Sequence, residues 1–198
     1  MKVVLFEGPD KVGKTTMANY LFDTIAFGES SDFSDDFVPL FLGRAFGTHP
    51  VFSGERENKL RSFRLMIETN SISKMMKLPD NYVLFIDRFH LSEKVYGQVF
   101  KRGYNAANVR MIDAMLEKAL LVYMTPKDTC ETYEQFKDDA TGLIDDLTID
   151  QYAMSVNLFD EAFAESYIPG KVKITVDTQN GKYHEQLVRT EVANYLRG

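Results

Sequence analysis

The segment EGPDKVGKTT at positions 7–16 follows the apolar run VVLF and precedes MANYLFDTIA, whose apolar residues recur at helical spacing. Gly8, Gly13, Lys14 and Thr15 fall in the Walker A pattern, two glycines five apart followed by Lys-Thr, in the strand–loop–helix context that pattern requires. The chemistry accounts for each residue type. Glycines let backbone N–H groups turn onto phosphate oxygens, and the helix that starts here adds its positive end. The Lys14 ammonium would reach the β- and γ-phosphates of a nucleoside triphosphate, and the Thr15 hydroxyl would ligate Mg²⁺. Asp10, Lys11, Val12 and Thr16 complete the loop. Such a loop binds a triphosphate; the reaction must come from elsewhere.

A second stretch, YVLFIDRFHLSEKVYG at 82–97, places a carboxylate and a guanidinium at the end of an apolar strand. Asp87 stands where a Walker B-like carboxylate would hold the water shell of the metal. Arg88 follows at the carboxyl end of the strand, where open α/β sheets bind ligands. An isolated Asp-Arg pair is ordinarily a structural ion pair, but here it shares a chain with a phosphate loop. Glu7, at the mouth of the first strand, is a further candidate for the metal's water network.

Around these segments, short apolar runs at 3–6, 37–42, 82–87, 119–124 and 172–176 alternate with helical patterns at 14–26, 55–77, 105–118, 148–167 and 183–197. That alternation predicts an α/β fold, three layers around a mainly parallel five-stranded sheet, in a single domain over 1–198. Pro39 interrupts the second run and predicts an edge strand. The residues GESSDFSDD at 28–36 read as a solvated acidic loop.

The bulk composition narrows the class. With 23 Lys+Arg against 29 Asp+Glu, the net charge of −6 argues against nucleic acid as the main partner and leaves room for a small anionic ligand held by local cations. The single cysteine, Cys130, admits no internal disulfide, and the N-terminal apolar run is too short to span a membrane; both predict a cytoplasmic protein. His49, His90 and His184 lack metal-ligand spacing.

EGPDKVGKTT together with DRFHLSEKVY resembles the thymidylate kinase family, P-loop nucleoside monophosphate kinases related to the deoxynucleoside kinases. The family's Asp-Arg-aromatic signature, followed by a serine and an aromatic, maps onto Asp87, Arg88, Ser92 and Tyr96. Phe41-Leu42-Gly43-Arg44 resembles its FPxR element with leucine for proline, and VDTQNGKYHEQLV resembles its last strand and adenine-side loop. The resemblance implies transfer of the γ-phosphoryl of ATP to a deoxynucleoside monophosphate, dTMP favoured, with Mg²⁺. Arg44 and Arg88 would clamp the acceptor phosphate, since a guanidinium fork suits phosphate oxygens. Asp10 would reach the acceptor sugar's 3′-hydroxyl. Phe63 would stack on the base or belong to the core. Tyr96 would pack where a 2′-hydroxyl would project, and Ser92 would contact the base or cap a short helix.

Two departures from that family matter. The lid expected at 126–150, PKDTCETYEQFKDDATGLIDDLTID, has no arginine, and none occurs between Arg110 and Arg189. One subtype of the family carries a basic residue in the phosphate loop instead, and Lys11 occupies that position here. The resemblance therefore implies that Lys11 supplies charge to the γ-phosphate, with Lys137 and Arg102 as substitutes. Ile67 stands where the family has a base-reading arginine, which leaves the acceptor base open. Two alternatives stay in play: a deoxynucleoside kinase acting on a 5′-hydroxyl, and a nucleotide-binding protein without catalysis. The first needs a carboxylate base after the second strand, where FLGRAFG has an arginine. Members of the family are often dimers, so a homodimer is an expectation carried by the resemblance.

Overall fold

The computed structural model of the chain describes residues 1–42, 55–137, 147–177 and 181–198, without the side chains of 55–64 and 181–183. Its elements follow in the order β1 (Lys2–Glu7), α1 (Lys14–Ala26), β2 (Val38–Leu42), α2 (Glu55–Met75), β3 (Tyr82–Asp87), α3 (His90–Val99), α4 (Ala106–Met115), β4 (Leu120–Pro126), α5 (Thr129–Phe136), α6 (Ile149–Glu165), β5 (Gly170–Val176) and α7 (Gly181–Arg197). The strands form one parallel sheet in the order β2-β3-β1-β4-β5.

The central strands are apolar at consecutive positions because both faces of the sheet are covered. On one face Val3, Leu5, Leu84, Ile86, Leu121 and Tyr123 pack with Leu65 and Ile72 of α2, Val95 of α3 and Phe159 of α6. On the other, Val4, Phe6, Val83, Phe85, Val122 and Met124 pack with Leu21 and Ile25 of α1 and Val188 and Val192 of α7. Each side chain of this size, fully buried, contributes about 1.5–3 kcal/mol. This three-layer α/β/α arrangement puts the carboxyl ends of β1 and β3 side by side, with Phe6 paired to Asp87.

Local signals account for several boundaries. Asn105 caps α4 by accepting from the Asn108 amide at 3.1 Å, and Asp128 caps α5 through Glu131 at 2.8 Å. Thr148 and Gln151 form a capping box at the start of α6. Each such cap stabilises its helix by about 1 kcal/mol. The strand broken by Pro39 lies at the edge of the sheet, as its sequence predicts.

Two helices go beyond the five predicted ones. Helix α5 lies inside the segment expected to be a lid; residues 138–146 of that segment are outside the described residues. Helix α3 escaped the periodicity reading for a physical reason. His90, Leu91, Ser92, Val95, Tyr96, Gly97 and Val99 are all buried, so the helix shows no alternation of wet and dry faces. Its N-cap residue is Phe89, which has no side chain able to cap it.

Candidate active site

The loop between β1 and α1 has the backbone shape that a phosphate cradle requires. Gly8 adopts φ +140, and a Cβ there would stand 2.0 Å from the Met124 carbonyl oxygen of neighbouring β4, so only glycine fits. Lys11 (φ 63) and Gly13 (φ 81) are left-handed, the alternation that turns successive N–H groups to one side. Val12 is buried in the core under α1, anchoring the loop from below. Thr15 and Thr16 open the helix at its exposed mouth, and Lys11 is half-buried.

Lys14 is almost wholly buried, and its ammonium donates to the Pro9 carbonyl, curling back into its own loop. Burial first, then the neighbouring Arg88 charge, lower its pKa to about 7, against the opposing pull of Asp10, Asp87 and Glu7. The Thr15 hydroxyl donates to Asp87 Oδ2 at 2.5 Å. The other oxygen of Asp87, Oδ1, is buried and receives no hydrogen bond.

These two residues fit Mg²⁺. The metal binds proteins through one or two oxygens and takes the rest of its octahedron from phosphates and water. A hydroxyl and a carboxylate in contact, with one carboxylate oxygen unbonded, supply that donor set. Among the described residues there is no group of three or more His, Cys, Asp or Glu side chains that could hold a metal unaided.

At the same end of the sheet, Asp10, Arg88 and Tyr96 converge in a buried cluster. Arg88 Nη2 ion-pairs with Asp10 Oδ1, and the Tyr96 hydroxyl donates to Asp10 Oδ2 at 2.8 Å. The guanidinium carbon lies 5.9 Å from the Tyr96 ring centroid. Burial alone would raise the Asp10 pKa; the charges of Arg88 and Lys14 and the bonds from Arg88 and Tyr96 outweigh it and hold the carboxyl at about 2. Arg88 Nε is buried without a hydrogen-bond partner, leaving the guanidinium with a donor to spare. Arg88 itself sits at φ 64, a left-handed conformation uncommon outside glycine.

Other sequence-predicted residues are distributed as follows. Ser92 is buried and its hydroxyl donates to Glu7 Oε2 at 2.5 Å, which makes it neither the N-cap of α3 nor free to face a base. Glu7 is itself occupied by four donors from the start of α3, which corrects its candidacy for the metal's water network. His90 is bonded through Nε2 to Asp113 at 3.0 Å. Asp113 lines a cavity of about 280 Å³ between α3, α4 and the end of α6, to which no phosphate-loop residue contributes. Arg44 lies outside the described residues, and Phe63 lies on α2 among the side chains not described.

Sequence reasoning missed Tyr152 on α6. Its fully buried hydroxyl donates to the Asp10 carbonyl at 3.0 Å, tying the phosphate loop to a helix 142 positions away. A tyrosine on an apolar helix stripe carries no local sign of such a role.

No protein-family model matches the sequence, and no curated protein matches it. Solved structures do. Thymidylate kinase from Candida albicans is 17% identical, with a TM-score of 0.64 over 100% of this chain and 93% of that one. The YorR protein of Bacillus subtilis, solved with phosphorylated GDP, is 19% identical with a TM-score of 0.60 over 94% of each chain. Deoxyadenosine kinase from M. mycoides is 10% identical with a TM-score of 0.60, over 97% of this chain and 99% of that one. The chain therefore has the P-loop fold that thymidylate kinases share with a deoxynucleoside kinase.

Proposed function

We propose that the chain is an ATP- and Mg²⁺-dependent nucleoside monophosphate kinase of the thymidylate kinase type, with dTMP as the favoured acceptor. One observation carries the reading. The phosphate loop, with Lys14 and Thr15, meets the Asp87-Arg88 end of β3 so that a donor site and a buried guanidinium lie side by side. In the reaction, an oxygen of the acceptor monophosphate bonds to the γ-phosphorus while the bond to the bridging oxygen breaks. ADP leaves, and the acceptor becomes a diphosphate. The acceptor oxygen is already a nucleophile, so no protein base is required.

Bound Mg²⁺ would neutralise charge on the donor phosphates, held by Thr15 and Asp87. Lys14 would leave the Pro9 carbonyl for the β- and γ-phosphate oxygens. Arg88, oriented by Asp10, would clamp the acceptor phosphate with its remaining donors. Lys11 would add the charge that a lid arginine provides elsewhere, since positive groups placed where charge develops are the main catalytic resource of such sites. Tyr96 packs beside Asp10, where the acceptor sugar would lie, and Arg44 and Phe63 are assigned to acceptor phosphate and base from the resemblance alone.

The partners under this reading are small-molecule nucleotides, without nucleic acid or membrane, in a cytoplasmic protein, with a homodimer carried by the resemblance alone. Among the described residues, no helix is long and apolar enough to cross a membrane. The deoxyadenosine kinase likeness supports a second reading, phosphorylation of a nucleoside 5′-hydroxyl. The arginine in FLGRAFG, where that chemistry needs a carboxylate, favours the monophosphate.

ADP release measured across a panel of deoxynucleoside monophosphates and deoxynucleosides tests the proposal. ADP formed with dTMP is the expected result. Phosphorylation of thymidine alone would favour the second reading, and no ADP with any acceptor would leave a nucleotide-binding protein without catalysis.

A further inference from the structure

We infer that Glu7 is a positioning residue that holds the acceptor clamp at a set distance from the donor loop; this rests on the monophosphate kinase reading. Glu7 is the last residue of β1, immediately before Gly8, and is fully buried. Its Oε1 accepts from the amides of Phe89 at 2.9 Å, Leu91 at 3.1 Å and Ser92 at 3.3 Å. Its Oε2 accepts from the Ser92 hydroxyl at 2.5 Å. The first amides of a helix have no partner within it and are ordinarily satisfied by the residue before the helix. In α3 that residue is Phe89, so a carboxylate from another strand does the work, its negative charge set at the positive end of the helix.

The preceding residue adds a second tie. The Phe6 carbonyl accepts from the Arg88 amide at 2.9 Å. Two consecutive residues of β1 therefore grip the turn from Arg88 to Ser92, by carbonyl and by carboxylate. That turn contains the left-handed Arg88 and leads to Tyr96, the two residues that bond the Asp10 carboxylate. Gly8 and the rest of the phosphate loop begin at the next bond. One carboxylate thus joins the covalent start of the donor cradle to the acceptor helix. Without it, three amides and a hydroxyl would need water inside a closed core, and α3 would shift away from β1.

A purely structural cap would weaken both halves of the site in proportion to the unfolded fraction. A positioning residue separates them, because misplacing a binding group by about 1 Å costs on the order of 100-fold in rate while an intact site elsewhere is unaffected. The test compares Glu7→Ala, Glu7→Gln and Ser92→Ala with the wild-type chain. The readouts are kcat, acceptor KM, and donor affinity by a fluorescent ATP analogue.

Glu7→Ala is expected to raise acceptor KM about 10-fold and lower kcat at least as much, with donor affinity within about twofold. Glu7→Gln keeps an oxygen that accepts the amides, so it should restore acceptor KM to within about threefold of wild type. Ser92→Ala, which folds if the larger change does not, should shift acceptor KM in the same direction by about threefold. Equal losses of donor and acceptor affinity, or unchanged acceptor KM in all three variants, would overturn the inference. If the wild-type chain turns over no monophosphate, the reaction reading fails by itself. Amide hydrogen exchange at residues 88–96 then still reads the tie: faster exchange there in Glu7→Ala, with the phosphate loop unchanged, supports it, and no change overturns it.

Discussion

The Thr15 hydroxyl bonds Asp87 Oδ2 at 2.5 Å across 72 positions of sequence, joining the first turn of α1 to the end of β3. Neither residue alone makes a metal site. In contact, and under the kinase reading proposed above, they would offer Mg²⁺ a hydroxyl and a carboxylate at the mouth of the loop.

Asp87→Asn should therefore lower kcat/KM about 100-fold and raise the Mg²⁺ concentration needed for half-maximal rate, because it removes charge and keeps shape. Thr15→Ala should cost less, since water can replace one neutral oxygen on the metal. Mg²⁺ titration of initial rates checks both. An unchanged Mg²⁺ requirement in Asp87→Asn would remove the carboxylate from the site.

Lys14 should take up a proton when a triphosphate binds. Burial and Arg88 hold its pKa at about 7, so at pH 8 most molecules carry it neutral. Phosphate oxygens at its tip favour the charged form. Calorimetry of Mg–ATP binding at pH 8 in two buffers of different ionisation enthalpy should report uptake of about one proton, absent in Lys14→Ala. The same depressed pKa affects the free protein. Between about 7 and 10.5 the unfolded chain keeps the proton that the folded chain releases, so the lysine's destabilising contribution is full below pH 7 and fades as pH rises through that window.

The Asp10–Arg88 pair makes a stability prediction. Both side chains are buried, so Asp10→Asn strands a guanidinium in the core and should cost about 3–5 kcal/mol in urea denaturation of the free protein. The carboxyl pKa is depressed from 3.8 to about 2, so the pair's contribution is complete above pH 4 and is lost as pH falls toward 2. Acid titration of the unfolding free energy should show that slope in wild type and a shallower one in Asp10→Asn.

Lys11→Ala should lower kcat by about 10- to 100-fold while donor affinity changes little, since charge placed for the transition state acts on the rate and not on ground-state binding. A turnover near that of wild type would transfer the role to Arg102 or Lys137.

Most of the fold and the local shape of the first loop could be read from the sequence, the long-range contacts around that loop could not, and the division has a physical origin. EGPDKVGKTT declares itself because the cradle is built from consecutive residues whose types are dictated by φ and charge. Asp87 and Arg88 were readable because an apolar strand must end where its polar residues begin. Pro39 marked an edge strand for the same local reason. The contacts that organise the site were not readable. Glu7 capping α3, Tyr152 on the Asp10 carbonyl and Tyr96 on the Asp10 carboxylate each join residues more than 80 positions apart. One partner in the first two is a backbone group, which every residue possesses.

Pro39 has a consequence for the sheet as a whole. The Val38 amide donates inward, to Asn81, so the next nitrogen along the strand faces the free edge, and there proline has no hydrogen to offer. At the opposite border, β5 carries exposed Lys171 and Lys173, whose ammonium groups bond to α6. An incoming strand would meet a missing donor on one side and, on the other, an edge strand bearing two lysines, one of them ion-paired to Asp160. Both borders thus carry residues that discourage strand-by-strand growth, one imino acid and two lysines, in a sheet that does not close into a barrel.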